Sequence, residues 1–296
     1  MDRYALMTAA HNEIGLISQT IESVLAQSIL PVVWVIVSDR STDGTDEVVA
    51  SYCREHSFLR FLRLNENTGR GTMAKVNALT AAYKEIVHHP HSFIGNLDAD
   101  VTLGPNYFER LMSCFRAQPA LGIAGGMIYE RQQGQFRARP SNSVDSVAHA
   151  AQLVRRECYE QIGGYVGLPF GGEDWYAEIR ARRNGWQVRS FPHLRVMHHR
   201  FTGGSDSLLK PRLREGRMDF SIGSHPLFEI VKCARRIPER PFFMGAAARM
   251  LGFFACYLDR SPRLVSPEIV DFLQQEQLGR IKALWPRQDS APGASA

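Results

Sequence analysis

The first hundred residues of this chain carry a rhythm that few folds can accommodate. Short apolar runs alternate with segments whose apolar residues recur every three or four positions. "YALMTAA", the β-branched "PVVWVIVSD", "FLRFLRL" and "SFIGNLDAD" read as strands, and "IGLISQTIESVLAQS", "STDGTDEVVASYCREH" and "GTMAKVNALTAAYKEIVHH" read as the helices between them. In the first helix Ile14, Ile17, Ile21, Val24 and Leu25 share one face; in the second, a Ser-Thr-Asp cluster predicts a capped start. Strand and helix in this order predict right-handed βαβ units and an α/β fold with a mainly parallel, Rossmann-like sheet flanked by helices. Ligands of such sheets bind beyond the C-terminal strand ends, where Asp39 and the pair Asp98 and Asp100 stand.

Beyond "GIAGGMIYERQQGQ" the pattern loosens. "ARPSNSVDS" reads as a loop, "HAAQLVRRECYEQIGGY" as strand then helix, "GEDWYAEIRARRNGW" as an acid-led helix closed by Gly185, and "QVRSFPHLRVMHHR" as a final edge strand. The expected organisation is a catalytic domain over residues 1–204, a helical C-terminal extension over 205–286 and a disordered tail over 287–296.

Composition narrows the class. Hydrophobic residues at 44% and charged residues at 22% are globular proportions, so disorder is excluded as the default. Five cysteines, odd in number and without a C-x-x-C pair, argue against a disulfide framework and a zinc site. "MDRYALMTAAHNE" lacks the basic and long apolar regions of a secretory signal, and the expectation is a cytoplasmic protein. The most apolar stretch, Phe242 to Leu258, carries Arg249 near its middle and does not read as a membrane span. Net charge is +5, with Lys232, Arg235, Arg236, Arg240, Arg249, Arg260 and Arg263 set against Glu239 and Asp259. That cluster suits an anionic membrane surface, whereas no nucleic-acid-binding motif accompanies it.

Four polar elements then fall in order: "AAHNE" after the first strand, "SDRSTDGT" after the second, "LDAD" after the fourth and "GGEDW" at the start of a later helix. Together they resemble the family 2 glycosyltransferases of the GT-A fold, over roughly residues 3 to 200, in the type that acts in bacterial cell-surface polysaccharide assembly. A D-x-D alone carries little weight, because a chain with 13 Asp offers one by chance about half the time. At a strand end, however, residues i and i+2 face the same side, so Asp98 and Asp100 are expected to meet one ligand together.

The resemblance implies a donor that is a nucleoside-diphosphate sugar, an acceptor hydroxyl on a glycan or lipid-linked molecule, and a divalent cation, Mn²⁺ or Mg²⁺. Charge developing on the leaving diphosphate is what such a cation neutralises, through hard oxygen ligands. By carry-over Asp100 binds the metal, and Asp98 contacts the metal-bound water or the ribose. Asp39 matches the second acid of the family's DDxS element and the contact to the base; the first acid is replaced by Ser38 and the usual glycine by Arg40. Ala9 and Glu13 line the nucleotide pocket. "NTGRGTMAKVN" brings Arg70 and Lys75 to the diphosphate. Asp174, paired with Glu173, is the base of an inverting transfer. Trp175 is a sugar platform or a core residue. His198 is the further metal ligand, with His199 as its alternative. The processive synthases' Q-x-x-R-W element is absent from "RARRNGW", which implies one sugar added per encounter. Two rivals are weighed: a nucleotidyltransferase, which would show a Gly-rich basic loop after the first strand, and a catalytically silent sugar-nucleotide-binding protein.

Overall fold

The computed structural model describes residues 2–65, 71–201, 209–238 and 241–284. The chain divides into two compact units, Met1–Ser205 and Asp206–Ala296. The predicted tail over 287–296 lies outside the described residues.

Unit 1 opens with the expected alternation: β1 (Tyr4–Ala10), α1 (Ile17–Leu25), β2 (Val33–Asp39), α2 (Thr45–Glu55), β3 (Leu59–Leu64), α3 (Thr72–Ile86) and β4 (Phe93–Leu97). It continues through β5 (Val101–Leu103), α4 (Tyr107–Ala117), β6 (Leu121–Gln132), β7 (Gln135–Ala138), β8 (Ala151–Arg155), α5 (Arg156–Gln161), α6 (Glu173–Arg183) and β9 (Gln187–His198). The sheet runs β3-β2-β1-β4-β8-β6-β9-β5, with β7 paired to β6. The first four strands in that order are parallel, and β8 enters antiparallel between β4 and β6.

Both faces of β1, β2 and β4 are covered, which is why they read as nearly unbroken apolar runs, whereas β3 at the sheet's edge carries Arg60 and Arg63. Alternate residues serve opposite cores. Tyr4, Leu6, Trp34 and Ile36 pack with α1 and α4, whereas Ala5, Met7, Val35 and Val37 pack with Val76, Leu79 and Ile86 of α3. Strand β9 is not an edge: it lies between β6 and the three-residue β5, which is too short to announce itself in sequence. Ile14 is not on the buried face of α1 but exposed in the turn before it, because the helix starts only at Ile17.

Unit 2 holds α7 (Lys210–Ile222), α8 (Pro226–Arg235), α9 (Phe242–Leu258) and α10 (Pro267–Leu284). Helices α7 and α9 approach backbone to backbone at Gly216 and Gly252. Arg249, the charge that interrupts the apolar stretch, is buried and bonded to Glu215, Asp219 and Glu229. With that charge turned inward, α9 presents Phe243, Leu251 and Leu258 to solvent, 68%, 63% and 86% exposed. No helix among the described residues is long and apolar enough to cross a membrane.

Candidate functional site

At the C-terminal end of β1, β2 and β4 the turns enclose a cleft of about 400 Å³. Its walls include Ala9, Glu13, Asp39, Lys75, Asp98, Asp100 and His198 from the sequence-predicted set, together with His11, Arg40 and Arg200. Small residues keep it open: Ala9 and Ala10 end β1, and Ala74 and Ala78 form the facing turns of α3.

The turns tie to one another. Asn12, at φ 56°, accepts a bond from the Thr42 amide through Oδ1, and its own amide donates to Ser41 Oγ. Asp43 accepts from the amides of Ile14 and Thr45, so the Ser-Thr-Asp cluster does stabilise the start of α2, although Gly44 is the capping residue. Ser38 is buried and bonds Ser41 Oγ at 2.9 Å. Arg40 takes the left-handed conformation, φ 57°, that a glycine in its place adopts without cost, and its guanidinium grips both oxygens of Asp39 at 2.9 and 3.2 Å. The carboxylate expected to meet the base is therefore already paired with its neighbour.

Asp98, Ala99 and Asp100 do not continue β4 but turn just beyond it. The same-side argument for a strand therefore does not apply, yet both acids still line the cleft, facing different partners. Asp98 Oδ1 lies 2.6 Å from Lys75 Nζ. Asp100 Oδ2 lies 3.3 Å from His198 Nε2 and 3.8 Å from Arg200 Nε. Burial pushes the Asp100 carboxyl up, but the His198 bond and the charges of His198 and Arg200 outweigh it and hold Asp100 below the ordinary aspartate range. His199, next in the chain, turns away to Thr102 Oγ1 at 2.9 Å and lies edge-on to Phe136.

Among the described residues, no three His, Cys, Asp or Glu side chains cluster as a metal site. Asp100 and His198 do fit a hard divalent cation as a two-residue set. Adjacent ligands of an octahedral ion at about 2.1 Å are roughly 3 Å apart, close to the 3.3 Å between Asp100 Oδ2 and His198 Nε2. His198 Nδ1 is buried without a hydrogen-bond partner, with Glu130 Oε1 4.0 Å away and bonded to Arg139. Asp98, engaged by Lys75, is the poorer ligand of the proposed pair.

Glu173, Asp174 and Trp175 open α6 behind two left-handed glycines, Gly171 and Gly172, at φ 90° and 89°. Glu173 is buried, with Oε1 3.1 Å from His149 Nδ1. Asp174 Oδ1 accepts from the Trp175 amide and Oδ2 from the His149 amide. Burial, then the adjacent Glu173 charge, pushes the Asp174 carboxyl above the usual range. On Glu173, burial is overcome by the His149 bond, which pulls it below that range. Lys75 links this helix start to the cleft: burial opposes its charge, but Asp98, Glu173 and Asp174 keep the ammonium protonated. Trp175 is half-buried. Arg70 lies outside the described residues.

Sequence reading misses Arg200 and His149. Arg200 bonds Glu13 across the cleft, and only its place two residues after His198 hints at it. His149 stands in a loop without periodicity.

The family model for glycosyl transferase family 2 matches residues 6–172. A poly-beta-1,6-N-acetyl-D-glucosamine synthase of Staphylococcus epidermidis is 27% identical over 122 residues, which is 41% of this chain and 27% of the synthase. The match thus spans about a quarter of that curated relative. Among solved structures, a mannosyltransferase from Pyrobaculum calidifontis in complex with GDP-Man and Mn²⁺ superposes with a TM-score of 0.56 at 17% identity, covering 96% of this chain and 81% of that one. S. aureus TarS in complex with UDP-GlcNAc superposes at 0.53 with 12% identity, covering 96% and 82%. These likenesses establish the GT-A fold with a helical C-terminal region. With more than half of its length matched by the family model, the chain is a member of glycosyl transferase family 2.

Proposed function

We propose that the chain is an inverting, metal-dependent transferase that moves a sugar from a nucleoside-diphosphate donor to a hydroxyl of a glycan or lipid-linked acceptor in surface polysaccharide assembly. The observation that carries this reading is the placement of Lys75. Its ammonium bonds Asp98 in the cleft and is held charged also by Glu173 and Asp174 at the start of α6. Donor-binding and proton-accepting groups thereby share one electrostatic centre.

In this reading the nucleotide lies against Ala9, Glu13 and Asp39, with Arg40 sharing in recognition of the base. A cation held by Asp100 and His198, Mn²⁺ or Mg²⁺, would supply charge neutralisation to the departing diphosphate. Lys75 and Arg200 add protein cations on the same leaving group. Asp174 removes the proton of the acceptor hydroxyl as that oxygen attacks the anomeric carbon from the face opposite the diphosphate; a single displacement inverts the centre. Burial and the Glu173 charge make Asp174 a stronger base than an ordinary aspartate. The mannosyltransferase and TarS complexes, with GDP-Man and UDP-GlcNAc, support a nucleotide-sugar donor, and the synthase's name supports a glycan product.

The exposed apolar residues of α9, with Arg235 and Arg260 exposed in the same unit, support contact with the anionic inner face of a membrane, where a lipid-linked acceptor resides. Sedimentation with anionic but not neutral vesicles checks that part.

The central experiment is a screen of UDP-, GDP- and dTDP-sugars for slow hydrolysis with Mn²⁺ or Mg²⁺, identifying the nucleotide released. Turnover that is lost in Asp100→Ala and Asp174→Ala supports the reading. Unimpaired turnover in either folded variant overturns it, and nucleotide binding without any turnover leaves the silent binding protein in its place.

A further inference from the structure

We propose that His149 is the positioning residue of the Glu173–Asp174 pair, giving two adjacent carboxylates different jobs. This rests on Asp174 being the base. One residue touches both acids: the His149 ring donates from Nδ1 to Glu173 Oε1 at 3.1 Å, and the His149 main-chain amide donates to Asp174 Oδ2 at 3.3 Å. The ring bond occupies Glu173 as an acceptor. The amide, with that of Trp175 on the other oxygen, fixes the Asp174 carboxylate in one orientation.

His149 is itself over-determined. Its carbonyl accepts from Asn96 Nδ2, on the strand that leads into Asp98. Its ring packs at 4.3 Å from the ring of Tyr165. The loop before it is pinned to α6 one turn beyond the acids, where Glu178 Oε1 accepts from Ser146 Oγ and the Val147 amide. The side chain is 5% exposed, and the second ring nitrogen, Nε2, is buried with no hydrogen-bond partner. The polar attachment of the ring is therefore Nδ1 to Glu173. Asn96 and Asp98 stand two residues apart, so the contact also ties the donor turn to the base helix.

The position of Nδ1 makes the inference testable. An asparagine amide nitrogen falls near the place of Nδ1, whereas a glutamine amide reaches the place of Nε2. His149 is replaced by Asn, Gln and Phe in the full chain, and hydrolysis of UDP-GlcNAc or GDP-mannose, whichever is turned over, is measured with Mn²⁺. His149→Phe and His149→Gln are expected to lower kcat about 10- to 100-fold with donor KM nearly unchanged, and His149→Asn to recover most of the loss. Wild-type kcat in His149→Phe, an effect confined to KM, or Asn no better than Gln overturns the proposal. Asp174→Ala separates the two readings: if it stays active the base assignment fails, and if it is dead while the His149 variants are normal only the present inference fails. A readout without turnover is the ring ¹⁵N spectrum of His149, expected to show a proton on Nδ1 and to change in Glu173→Ala; an Nδ1 without a proton in the wild type overturns the proposal.

Discussion

Lys75 and Asp98 form an ion pair, 2.6 Å from Nζ to Oδ1, between side chains that are about three-quarters buried. Such a pair is costly to halve, because the partner left behind is a charge shielded from water. Lys75→Met is therefore expected to weaken binding of UDP or GDP about 10- to 100-fold, the range of one charge-assisted hydrogen bond of about 1.5–3 kcal/mol. Calorimetric titration measures it. If Lys75 serves only to neutralise Asp98, the double variant Lys75→Met/Asp98→Asn will bind nucleotide as well as Asp98→Asn alone; the donor-binding role predicts that it binds more weakly than Asp98→Asn alone.

The neighbouring histidines separate by geometry. His198 Nε2 stands 3.3 Å from Asp100, whereas His199 bonds Thr102 and packs on Phe136. His198→Ala and Asp100→Asn should raise the Mn²⁺ concentration for half-maximal turnover at least about 10-fold, and His199→Ala less than about 3-fold. Chelation by EDTA should abolish turnover in the wild type, with Mn²⁺ restoring it.

The parallel half of the fold was legible because strands buried on both faces leave unbroken apolar runs, and because α3 repeats its apolar residues at helical spacing. That β9 is no edge is not legible, because the strand beyond it, β5, is three residues long and leaves no pattern of its own. The acids were visible as motifs since turns after parallel strands gather polar groups beside small ones. Their partners were not. Arg40 fills a glycine's backbone conformation, Arg200 meets Glu13 across 187 positions of sequence, and His149 reaches α6 from an irregular loop. Each depends on tertiary placement that no local pattern encodes.

Glu178 gives a pH-dependent prediction for unit 1. It is buried, and burial pushes its carboxyl from the usual 4.5 up to about 8. Between those values the folded chain retains a proton that the unfolded chain releases, so stability falls as pH rises through that window. Glu178→Gln keeps an acceptor oxygen for Ser146 and Val147 but cannot ionise. Thermal melts should show little difference near pH 4.5 and a variant more stable by a few kcal/mol near pH 8, since each pH step of one across the window costs the wild type about 1.4 kcal/mol. Equal slopes for both proteins would place the ionisation elsewhere.

Helices α7 and α9 cross at two glycines with their backbones in contact. A Cβ added at Gly216 would lie 2.0 Å from the Arg249 carbonyl oxygen, and one added at Gly252 would lie 2.1 Å from that of Leu213. Neither obstacle is a side chain that can swing aside, so the helices must separate. Separation would also pull Arg249 from Glu215, Asp219 and Glu229, leaving the two buried carboxylates, Asp219 and Glu229, with one cation fewer. Gly216→Ala and Gly252→Ala are each expected to destabilise unit 2 by about 3 kcal/mol or more, the upper end for overpacking. Arg249→Met should cost a similar 3–5 kcal/mol, roughly, by a different route, since it removes the buried cation shared by the acids and leaves Lys232 alone beside Asp219 and Glu229. The two routes diverge with pH. Burial and the Asp219 charge already push the Glu229 carboxyl up, so its protonation as pH falls relieves Arg249→Met but does nothing for a backbone clash. Hydrogen exchange of α7 and α9 on acidification should therefore recover protection in Arg249→Met and stay fast in both glycine variants.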